Sequence, residues 1–170
     1  RSRRPKVAYT QALVAATQVP MRAAMVSAHA TYALSDDSPL VSEDEMELLE
    51  RVPDEVPADA AIAGSPWTGA SLAYAIGDRQ VLRKHVFGAI GVDEQYLDNR
   101  LSLIDSDPKV CEVVERLGVD YVLDFGAQNV WNNPGVGLDR QGLYNLSASS
   151  HLVLVDEQGA NARLFRIEGC

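Results

Sequence analysis

Residues 117–126 read Leu-Gly-Val-Asp-Tyr-Val-Leu-Asp-Phe-Gly, and this stretch decides the fold class. Ahead of Gly118, apolar residues recur at helical spacing from an Asp107-Pro108 start, which favours a helix that the glycine ends. Beyond Gly118, the apolar run to Phe125 predicts a buried strand. A helix, a glycine and then a buried strand are typical of α/β proteins.

The same pattern extends in both directions along the chain. We predict parallel strands at residues 60–63, 80–86 and 119–125, joined by right-handed helical crossovers. Alternating segments at 151–155 and 163–167 predict a C-terminal antiparallel hairpin. The expected fold is therefore an α/β domain, a three-layer Rossmann-like sandwich with a mixed sheet.

Helix signals fill the spaces between the predicted strands. Ser42 and Glu45 form a capping box that opens a helix, and Pro53 is expected to stop that helix. Two further helices are predicted at residues 70–76 and 93–104, where apolar residues recur at helical spacing.

Composition and charge exclude several classes of protein. The chain has 170 residues, with 15 Lys+Arg against 24 Asp+Glu and a net charge of −9. Apolar residues make up 46%, which is enough for the packed core of one domain. The acidic balance has the wrong sign for a protein that tracks phosphate backbones, so nucleic acid is not expected as a partner.

The first 34 residues differ from the rest, because they contain no acidic residue and five basic ones: Arg1, Arg3, Arg4, Lys6 and Arg22. We predict a helical N-terminal stem at 1–38, followed by the α/β domain at 39–170. A basic stem suits anionic lipid head groups, and an ordinary packed helix pair is the alternative. No stretch reaches 18 consecutive apolar residues, so no segment is expected to span a bilayer by itself. Because the chain starts Arg-Ser-Arg-Arg rather than with Met, we expect it to be a piece of a longer protein.

The turn at 64–69 joins a predicted strand to a predicted helix, a place where free amides bind anions. It lacks the Walker lysine and the G-x-G-x-x-G pattern, and Pro66 removes an amide, so a non-catalytic turn is the favoured interpretation. If the turn binds a ligand, the expected contacts are Trp67, Thr68 and Ser71. An aromatic face with flanking hydroxyls suits a sugar ring.

Asp124 ends the most strongly predicted strand, and α/β proteins bind ligands at the carboxyl ends of their strands. Asp124 is therefore a candidate ligand group, and a carboxylate that caps a neighbouring helix or loop is the alternative. The residues that follow, 127–150, are polar and rich in Gly and Asn. They predict a long loop with a functional role or with mobility.

No motif in the chain assigns a catalytic residue, a metal or a cofactor. His29, His85 and His151 lie more than 50 residues apart, so no metal site is predicted. His85 belongs to a basic spot with Arg83 and Lys84 that we expect to be a solvated sheet edge. The chain also lacks the G-x-S-x-G elbow of serine hydrolases.

Several stretches together resemble one group of membrane proteins: residues 58–75, 79–86, 107–111, 117–126 and 163–170. The most specific pieces are the Pro66-Trp-x-Gly turn and the Tyr121-Val-Leu-Asp-Phe-Gly run. They are similar to the C-terminal part of large actinobacterial polytopic membrane proteins. In that group, a bundle of transmembrane helices similar to the type C glycosyltransferases, which use lipid-linked sugars, precedes a soluble domain outside the membrane.

The resemblance implies a soluble domain on the extracytoplasmic face of the cell membrane. Type C enzymes place their catalytic acid in loops of the membrane bundle, so the resemblance implies a non-catalytic domain of a cell-envelope glycosyltransferase. By the same resemblance, this domain binds acceptor glycan or a partner, or braces the membrane part, so its implied partners are the transmembrane portion of the parent protein and an envelope glycan. From the residues alone, Cys111 and Cys170 are either a disulfide or two unrelated thiols, and the implied location favours the disulfide.

A free-standing enzyme is the alternative function. In that interpretation, a Rossmann-like domain binds a small anionic ligand at the turn at 64–69, together with the loop at 126–150. A deep polar pocket with perturbed carboxylates at the strand ends would favour the enzyme. An upstream reading frame with many apolar segments would favour the membrane protein.

Overall fold

The structure is a computed structural model that describes residues 18–30, 33–36, 38, 40–128, 130 and 138–170. The chain divides into two compact units, Arg1–Leu34 and Ser35–Cys170. In the first unit, residues 18–30 are helical and exposed, and we call them α1. Residues 1–17 of the predicted stem lie outside the described residues, and the boundary after residue 38 stays a prediction. In the described ranges, no helix combines the length and the apolar character that a membrane span requires.

The second unit is built on a five-stranded sheet. Its helices and strands are α2 (Glu43–Glu55), β1 (Ala61–Gly64), β2 (Gln80–Val81), α3 (Val92–Arg100), α4 (Pro108–Leu117), β3 (Tyr121–Asp124), β4 (Leu152–Gln158) and β5 (Ala162–Ile167). The strand order is β2-β1-β3-β5-β4. Strand β1 runs parallel to β2 and β3, whereas β5 runs antiparallel to β3 and β4. This mixed sheet with its C-terminal hairpin confirms the predicted fold class.

Side chains alternate across the sheet and enter two separate hydrophobic cores. In β3, Tyr121 and Leu123 enter the core covered by α2, whereas Val122 enters the core covered by α3 and α4. Leu164 and Phe165 of β5 divide between the two cores in the same way. The sheet is therefore the middle of three layers, with α2 on one face and α3 and α4 on the other.

Two helix starts and one helix end follow the sequence signals. At α2, the Ser42 hydroxyl accepts from the Glu45 amide while the Glu45 carboxylate accepts from the Ser42 amide. At α4, the Asp107 carboxylate accepts a hydrogen bond from the Lys109 amide. Gly118 ends α4 with a φ of 62°, a left-handed conformation that glycine adopts without steric cost.

Helix α2 does not stop at Pro53, contrary to the prediction. It continues to Glu55, so the proline lies in its last turn. The Arg79 guanidinium donates to the carbonyl oxygens of Pro53 and Val56, both at 2.6 Å. These charge-assisted hydrogen bonds satisfy carbonyls near the helix end, where few partners from the helix itself remain.

Three elements between β1 and α4 differ from the prediction. The predicted helix at 70–76 is a 3-10 helix over Ala70–Tyr74. The predicted strand at 80–86 is limited to β2, because Arg83 turns into the protein to meet a buried carboxylate. Within the predicted helix at 93–104, only the part in α3 is α-helical, and a 3-10 turn follows it.

The segment predicted as a loop at 127–150 contributes to the core. A 3-10 helical stretch spans Leu138–Leu143, and its last residue is buried. Leu143 and Leu146 both belong to the core under α3 and α4. Residues 129 and 131–137 of the predicted loop lie outside the described residues.

The C-terminal hairpin of β4 and β5 carries a β-bulge. The register shifts between Leu154 and Asp156, which bends the outer strand β4. Beyond β5, a disulfide joins Cys170 to Cys111 of α4, the pairing that the resemblance implies. The bond crosses 59 residues of sequence and ties the end of the hairpin strand to the helical layer.

Candidate functional site

A polar cavity of about 280 Å³ lies where β3 ends, beside the N-terminus of α2. Strands β1 and β3 are adjacent at the centre of the sheet, and the strand order changes direction between them. Ligands of α/β folds bind outside the carboxyl ends of strands, and this cavity lies at the carboxyl end of β3, although no described lining residue comes from the segment after β1. We call this space the carboxyl-edge cavity. Its polar lining includes Asp36, Ser42, Asp44, Glu45, Gln128, Asn145 and Asn161.

Asp124 fixes two residues of the cavity lining. Its side chain is fully buried, and its Oδ1 atom accepts hydrogen bonds from the amides of Gly126 at 2.9 Å and Asn145 at 3.2 Å. Gly126 and Asn145 both have a left-handed backbone, with φ values of 68° and 53°. Glycine adopts this conformation freely and asparagine more readily than most residues. One carboxylate oxygen therefore holds two unusual turns of the lining in place.

The second oxygen of Asp124 connects the same region to strand β5. Oδ2 accepts from the Leu146 amide at 2.6 Å and from Arg163 Nη2 at 2.7 Å. Burial raises the pKa of Asp124, while the hydrogen bonds from the amides and the positive charge of Arg163 act in the opposite direction. Asp124 does not itself line the cavity. Of the two predicted roles of Asp124, the structure shows the one in which its carboxylate caps a loop. The role as a ligand group stays a prediction.

The first turn of α2 forms another wall of the cavity. Glu45 is buried, and its Oε2 atom accepts from the Ser42 amide at 2.7 Å. Burial raises the pKa of Glu45. Asp44 accepts from Gln158 Nε2 at 3.4 Å, and the hairpin turn approaches so closely that a Cβ atom on Gly159 would overlap the Asp44 carboxylate. Helix α2 and the β4–β5 turn therefore enclose the cavity from two sides.

The lining determines which ligands the cavity suits. It offers carboxylates, side-chain amides and two serine hydroxyls, and no lysine, arginine or histidine is among the described residues that line it. Hydroxyl-rich ligands can donate to the carboxylates and exchange hydrogen bonds with the amides, whereas a phosphate would meet acidic residues without a counter-charge. Across the described ranges, no group of three acidic, histidine or cysteine residues is arranged to hold a metal ion.

The structure places the sequence-predicted contacts of the turn at 64–69 outside this cavity. Thr68 is buried and its hydroxyl donates to the Ser65 carbonyl at 3.2 Å, while the Ser71 hydroxyl donates to the Arg83 carbonyl at 2.6 Å. Trp67 is half-buried and its ring meets Phe87 edge to face. None of these three residues lines the carboxyl-edge cavity. Their role as ligand contacts stays a prediction.

The turn itself packs closely against the chain that precedes α2. Gly69 has a φ of 86°, and a Cβ atom there would overlap the Leu40 carbonyl. The Thr68 amide donates to the Ser65 carbonyl, and the Leu72 amide donates to the Gly69 carbonyl. The Thr68 amide of the turn is thus engaged within the protein rather than directed to an anion, and so is the Leu72 amide just beyond the turn.

The sequence of residues 4–169 matches the model of a family of unknown function, DUF6541. The chain belongs to this family. This DUF6541 chain is also similar to a solved structure, the C-terminal globular domain of an oligosaccharyltransferase from Archaeoglobus fulgidus. The TM-score is 0.52 and the sequence identity 15%, and the match covers 75% of this chain and 99% of that domain. At this identity the likeness shows a shared fold. No curated protein matches the chain.

Sequence reasoning missed a buried charge cluster in the DUF6541 chain. Oδ2 of Asp98 accepts from Arg83 Nη1 at 2.9 Å and from Arg140 Nε at 3.2 Å, and all three side chains are buried. The Arg140 guanidinium lies over the Trp67 ring, 5.4 Å from its centre. The prediction of a solvated basic spot is therefore wrong for Arg83. A usable signal was the position of Asp98 between Leu97 and Leu101 on the buried side of α3.

The histidines of the DUF6541 chain lie in different environments. His29 is in α1, and His85 Nδ1 accepts from the Phe87 amide at 3.1 Å. His151 Nδ1 lies 2.8 Å from Oδ1 of the exposed Asp105. His85 therefore belongs to a local turn, whereas His151 pairs with a carboxylate 46 residues earlier in the chain.

Proposed function

We propose that this chain is a non-catalytic, extracytoplasmic domain of a larger membrane protein, a cell-envelope glycosyltransferase that uses lipid-linked sugar. The domain braces the transmembrane portion of that protein and binds envelope glycan. In this proposal the parent protein belongs to the actinobacterial group that the sequence resembles. The chemistry of transfer belongs to the membrane portion, and this domain supplies binding and positioning.

The fold likeness is the observation that carries the proposal. The domain of known structure is a C-terminal globular domain of an oligosaccharyltransferase, and the match accounts for 99% of it. A fold can host unrelated functions, so the likeness supports the proposal only together with the resemblance, which rests on sequence motifs rather than on the fold. The disulfide of Cys111 with Cys170 adds support, because such bonds persist in oxidising compartments.

The carboxyl-edge cavity is the proposed place for the glycan. Its volume of about 280 Å³ suits a sugar unit or two, and its polar groups converge from α2, from the segment after β3 and from the hairpin turn. The acidic residues favour an uncharged or amine-bearing sugar over a sugar phosphate. The cavity is therefore a better candidate for the acceptor glycan than for a phosphate-linked donor.

The alternative of a free-standing enzyme receives less support from the same cavity. A polar pocket is present at the strand ends, and two carboxylates near it, Asp124 and Glu45, have raised pKa values. Asp124 faces backbone amides and Arg163, however, and Glu45 is engaged in the capping box. At the turn at 64–69, the Thr68 amide already donates to the Ser65 carbonyl and Pro66 has no amide hydrogen, so these two residues offer no amide to an anionic ligand.

Fractionation of the native host tests the location. With an antibody against this chain, the antigen should stay with the membranes after a carbonate wash and should be digested by protease added outside intact spheroplasts. Titration of thiols in the unfolded, unreduced protein should find none free. Antigen in the soluble fraction, or antigen protected from external protease, would contradict the proposal.

Binding of glycan is tested on the purified chain by amide NMR. Mannobiose and chitobiose should shift the amides of Gly126, Asn145 and Asn161, and glucose 1-phosphate should shift them less. Asn161→Ala should weaken binding, whereas the matched control Ser71→Ala should not, because Ser71 lies outside the cavity. Shifts centred on Trp67 would move the site to the turn at 64–69. The absence of shifts with every sugar would remove glycan binding from the proposal.

A further inference from the structure

The buried cluster around Asp98 contains more positive than negative charge. Arg83, Arg140 and Asp98 have side chains that are 5%, 6% and 8% exposed, and both arginines pair with this one carboxylate. Arginine keeps its charge in proteins. Among the described residues, no second carboxylate pairs with either arginine. Buried charges are ordinarily paired, so the cluster holds an excess of positive charge that calls for a further anion.

Both arginines have hydrogen-bond donors to spare. Each guanidinium carries several N–H groups. Arg83 donates from Nη1 and Arg140 from Nε, in both cases to Oδ2 of Asp98. In the part of the chain that the structure describes, no other acceptor takes a hydrogen bond from either guanidinium. The nitrogens that carry the remaining N–H groups keep some contact with solvent, so they are reachable from outside the protein.

The Trp67 ring stabilises Arg140 without neutralising its charge. The Arg140 guanidinium lies over this ring, 5.4 Å from its centre. A cation–π contact lowers the cost of burying a guanidinium but supplies no negative charge. Carboxylates match the planar fork of arginine N–H groups, from which they accept parallel hydrogen bonds. The contact with Trp67 therefore leaves Arg140 able to bind a carboxylate.

The cluster lies where ligands of α/β folds bind. Trp67 follows β1 and Arg83 follows β2, and these two strands are parallel, so both residues lie at the carboxyl edge of the sheet. The Ser71 hydroxyl donates to the Arg83 carbonyl at 2.6 Å, which ties the segment after β1 to the segment after β2. Neither arginine lines the carboxyl-edge cavity, and Asp98 does not line it either. The cluster is therefore a separate place along the same edge.

We propose that Arg83 and Arg140 bind the carboxylate of a small monoanionic ligand. One negative charge balances the excess charge of the cluster, whereas a phosphate dianion would reverse it. The ligand accepts from N–H groups that Asp98 does not use, while Asp98 holds the two guanidiniums side by side. This site goes beyond the proposed function, and it stands whether or not the carboxyl-edge cavity binds glycan.

NMR of the arginine Nε–H groups in the full chain tests the proposal, with sodium glucuronate as the probe and sodium chloride at matched ionic strength. The signals of Arg83 and Arg140 should shift and saturate, with a dissociation constant on the order of 1 mM for two charge-assisted hydrogen bonds. Glucose, a similar ring without a carboxylate, should leave both signals in place. The Arg163 signal should not move, because Asp124 already balances its charge.

Two variants change the affinity in opposite directions. Arg140→Lys keeps the charge but loses the planar fork, so it should weaken glucuronate binding roughly ten-fold. Asp98→Asn removes the negative charge beside the ligand and keeps an acceptor for both arginines, so it should tighten binding roughly five-fold. The matched control is Arg51→Gln, because Arg51 donates from both Nε and Nη2 to Asp156. Its affinity should equal that of the unmodified chain.

The tightening in Asp98→Asn distinguishes a binding site from a purely structural cluster, because loss of structure cannot raise the affinity. Melting temperatures establish that each variant is folded at the temperature of the titration. The proposal is overturned if neither arginine signal shifts, if glucose produces the same shifts, or if both variants bind as the unmodified chain does. Tighter binding of inorganic phosphate than of glucuronate overturns the assignment to a carboxylate. Each of these results leaves the fractionation and cavity experiments unaffected.

Discussion

Asp98 and Asp124 are both buried carboxylates that meet arginine, but they are satisfied in different ways. Asp124 uses both oxygens, which accept from three backbone amides and from Arg163. Asp98 uses Oδ2 for both of its arginine partners. Burial raises the pKa of each carboxyl, and their hydrogen-bonding partners oppose the rise.

The difference shows two uses of a buried acid. Asp124 holds backbone, so it determines where the chain turns after β3 and before β4. Asp98 holds the side chains of Arg83 and Arg140, which come from separate segments, so it joins those two segments to α3. Asparagine is a neutral side chain with one acceptor oxygen, so it can replace Asp98 more easily than Asp124. Substituting each acid by asparagine therefore compares the two directly.

The largest effect is expected for Asp124→Asn. The amide has one acceptor oxygen, so its NH₂ group must face either Gly126 and Asn145 or Leu146 and Arg163. Two buried donors then lose their acceptor, which should lower the free energy of unfolding by about 4 kcal/mol. Urea unfolding measures the loss.

The matched control for Asp124→Asn is Asp120→Asn. The Asp120 carboxylate accepts a single backbone hydrogen bond, from the Ala61 amide at an exposed position. Its replacement should cost about 1 kcal/mol or less. Equal losses for the two variants would show that Asp124 is not the anchor of the carboxyl edge.

The next effect is expected for Gly142→Ala, which strains the Asp98 cluster through the backbone. A Cβ atom on Gly142 would overlap the backbone at Asn99, Arg100 and Leu101. The 3-10 stretch that carries Arg140 must move away from α3, which should cost about 3 kcal/mol. Urea unfolding gives the cost, and tryptophan fluorescence reports the altered contact between Arg140 and Trp67.

Gly88→Ala is the control for this substitution, because the atom nearest to a new Cβ is in the His85 ring, at an ordinary 3.6 Å. The control should lose little stability and keep its fluorescence. A stable Gly142→Ala variant would mean that the 3-10 stretch is not clamped against α3.

A smaller effect is expected for Asp98→Asn. The carbonyl oxygen of asparagine can occupy the place of Oδ2 and keep both arginine hydrogen bonds, so only their charge assistance is lost. We expect a loss of about 2 kcal/mol in the free energy of unfolding, roughly 1 kcal/mol for each bond. If Asp98→Asn loses more free energy of unfolding than Asp124→Asn, the comparison is reversed, and charge contributes more to stability than the hydrogen bonds to backbone amides.

The smallest effect concerns pH and contrasts the buried acids with an exposed one. Hydrogen bonding to His151 lowers the pKa of Asp105 to about 2, so its stabilising contribution is present above pH 3.8 and is lost as the pH falls toward 2. The raised pKa values of Asp98 and Asp124 act with the opposite sign: their contribution is present at low pH and is lost as the pH rises through the folded-state pKa.

Asp105→Asn should therefore lose less melting temperature than the unmodified chain between pH 4 and pH 2. NMR titration of the Asp105 carboxyl in His151→Gln should find its pKa closer to 3.8. If Asp105→Asn loses as much melting temperature between pH 4 and pH 2 as the unmodified chain, or if the pKa of Asp105 is unchanged in His151→Gln, this pairing is contradicted.

The predictable parts of the fold were those with local causes. The start of α4 at Pro108, its end at Gly118 and the alternation in β5 each depend on residues a few positions apart, so the sequence states them directly. The wrong predictions depend on distant partners. Helix α2 passes Pro53 with carbonyls bound by Arg79, which is 26 residues away. The outer strand ends after Val81 and Arg83 turns inward, toward a carboxylate 15 residues later.

The candidate site was predictable in position but not in composition. Asp124 marks the carboxyl edge of β3, and the rule for parallel strands points to that edge from sequence alone. The residues that enclose the cavity come from α2 and from the β4–β5 turn, which are far from β3 in sequence and meet its end only through the tertiary fold. The aromatic turn around Trp67 was a reasonable glycan hypothesis from composition, but its hydroxyls are engaged by backbone carbonyls.

The bulge in β4 has a consequence for the behaviour of the domain at high concentration. Unpaired edges of a sheet can recruit strands from other molecules and start fibrous assemblies. Here one edge is the two-residue β2, and the other is interrupted by the irregular register at Leu154 and Asp156 and carries Glu157 beside it. Neither edge offers a long regular template, so intermolecular strand addition is disfavoured even when the protein is crowded.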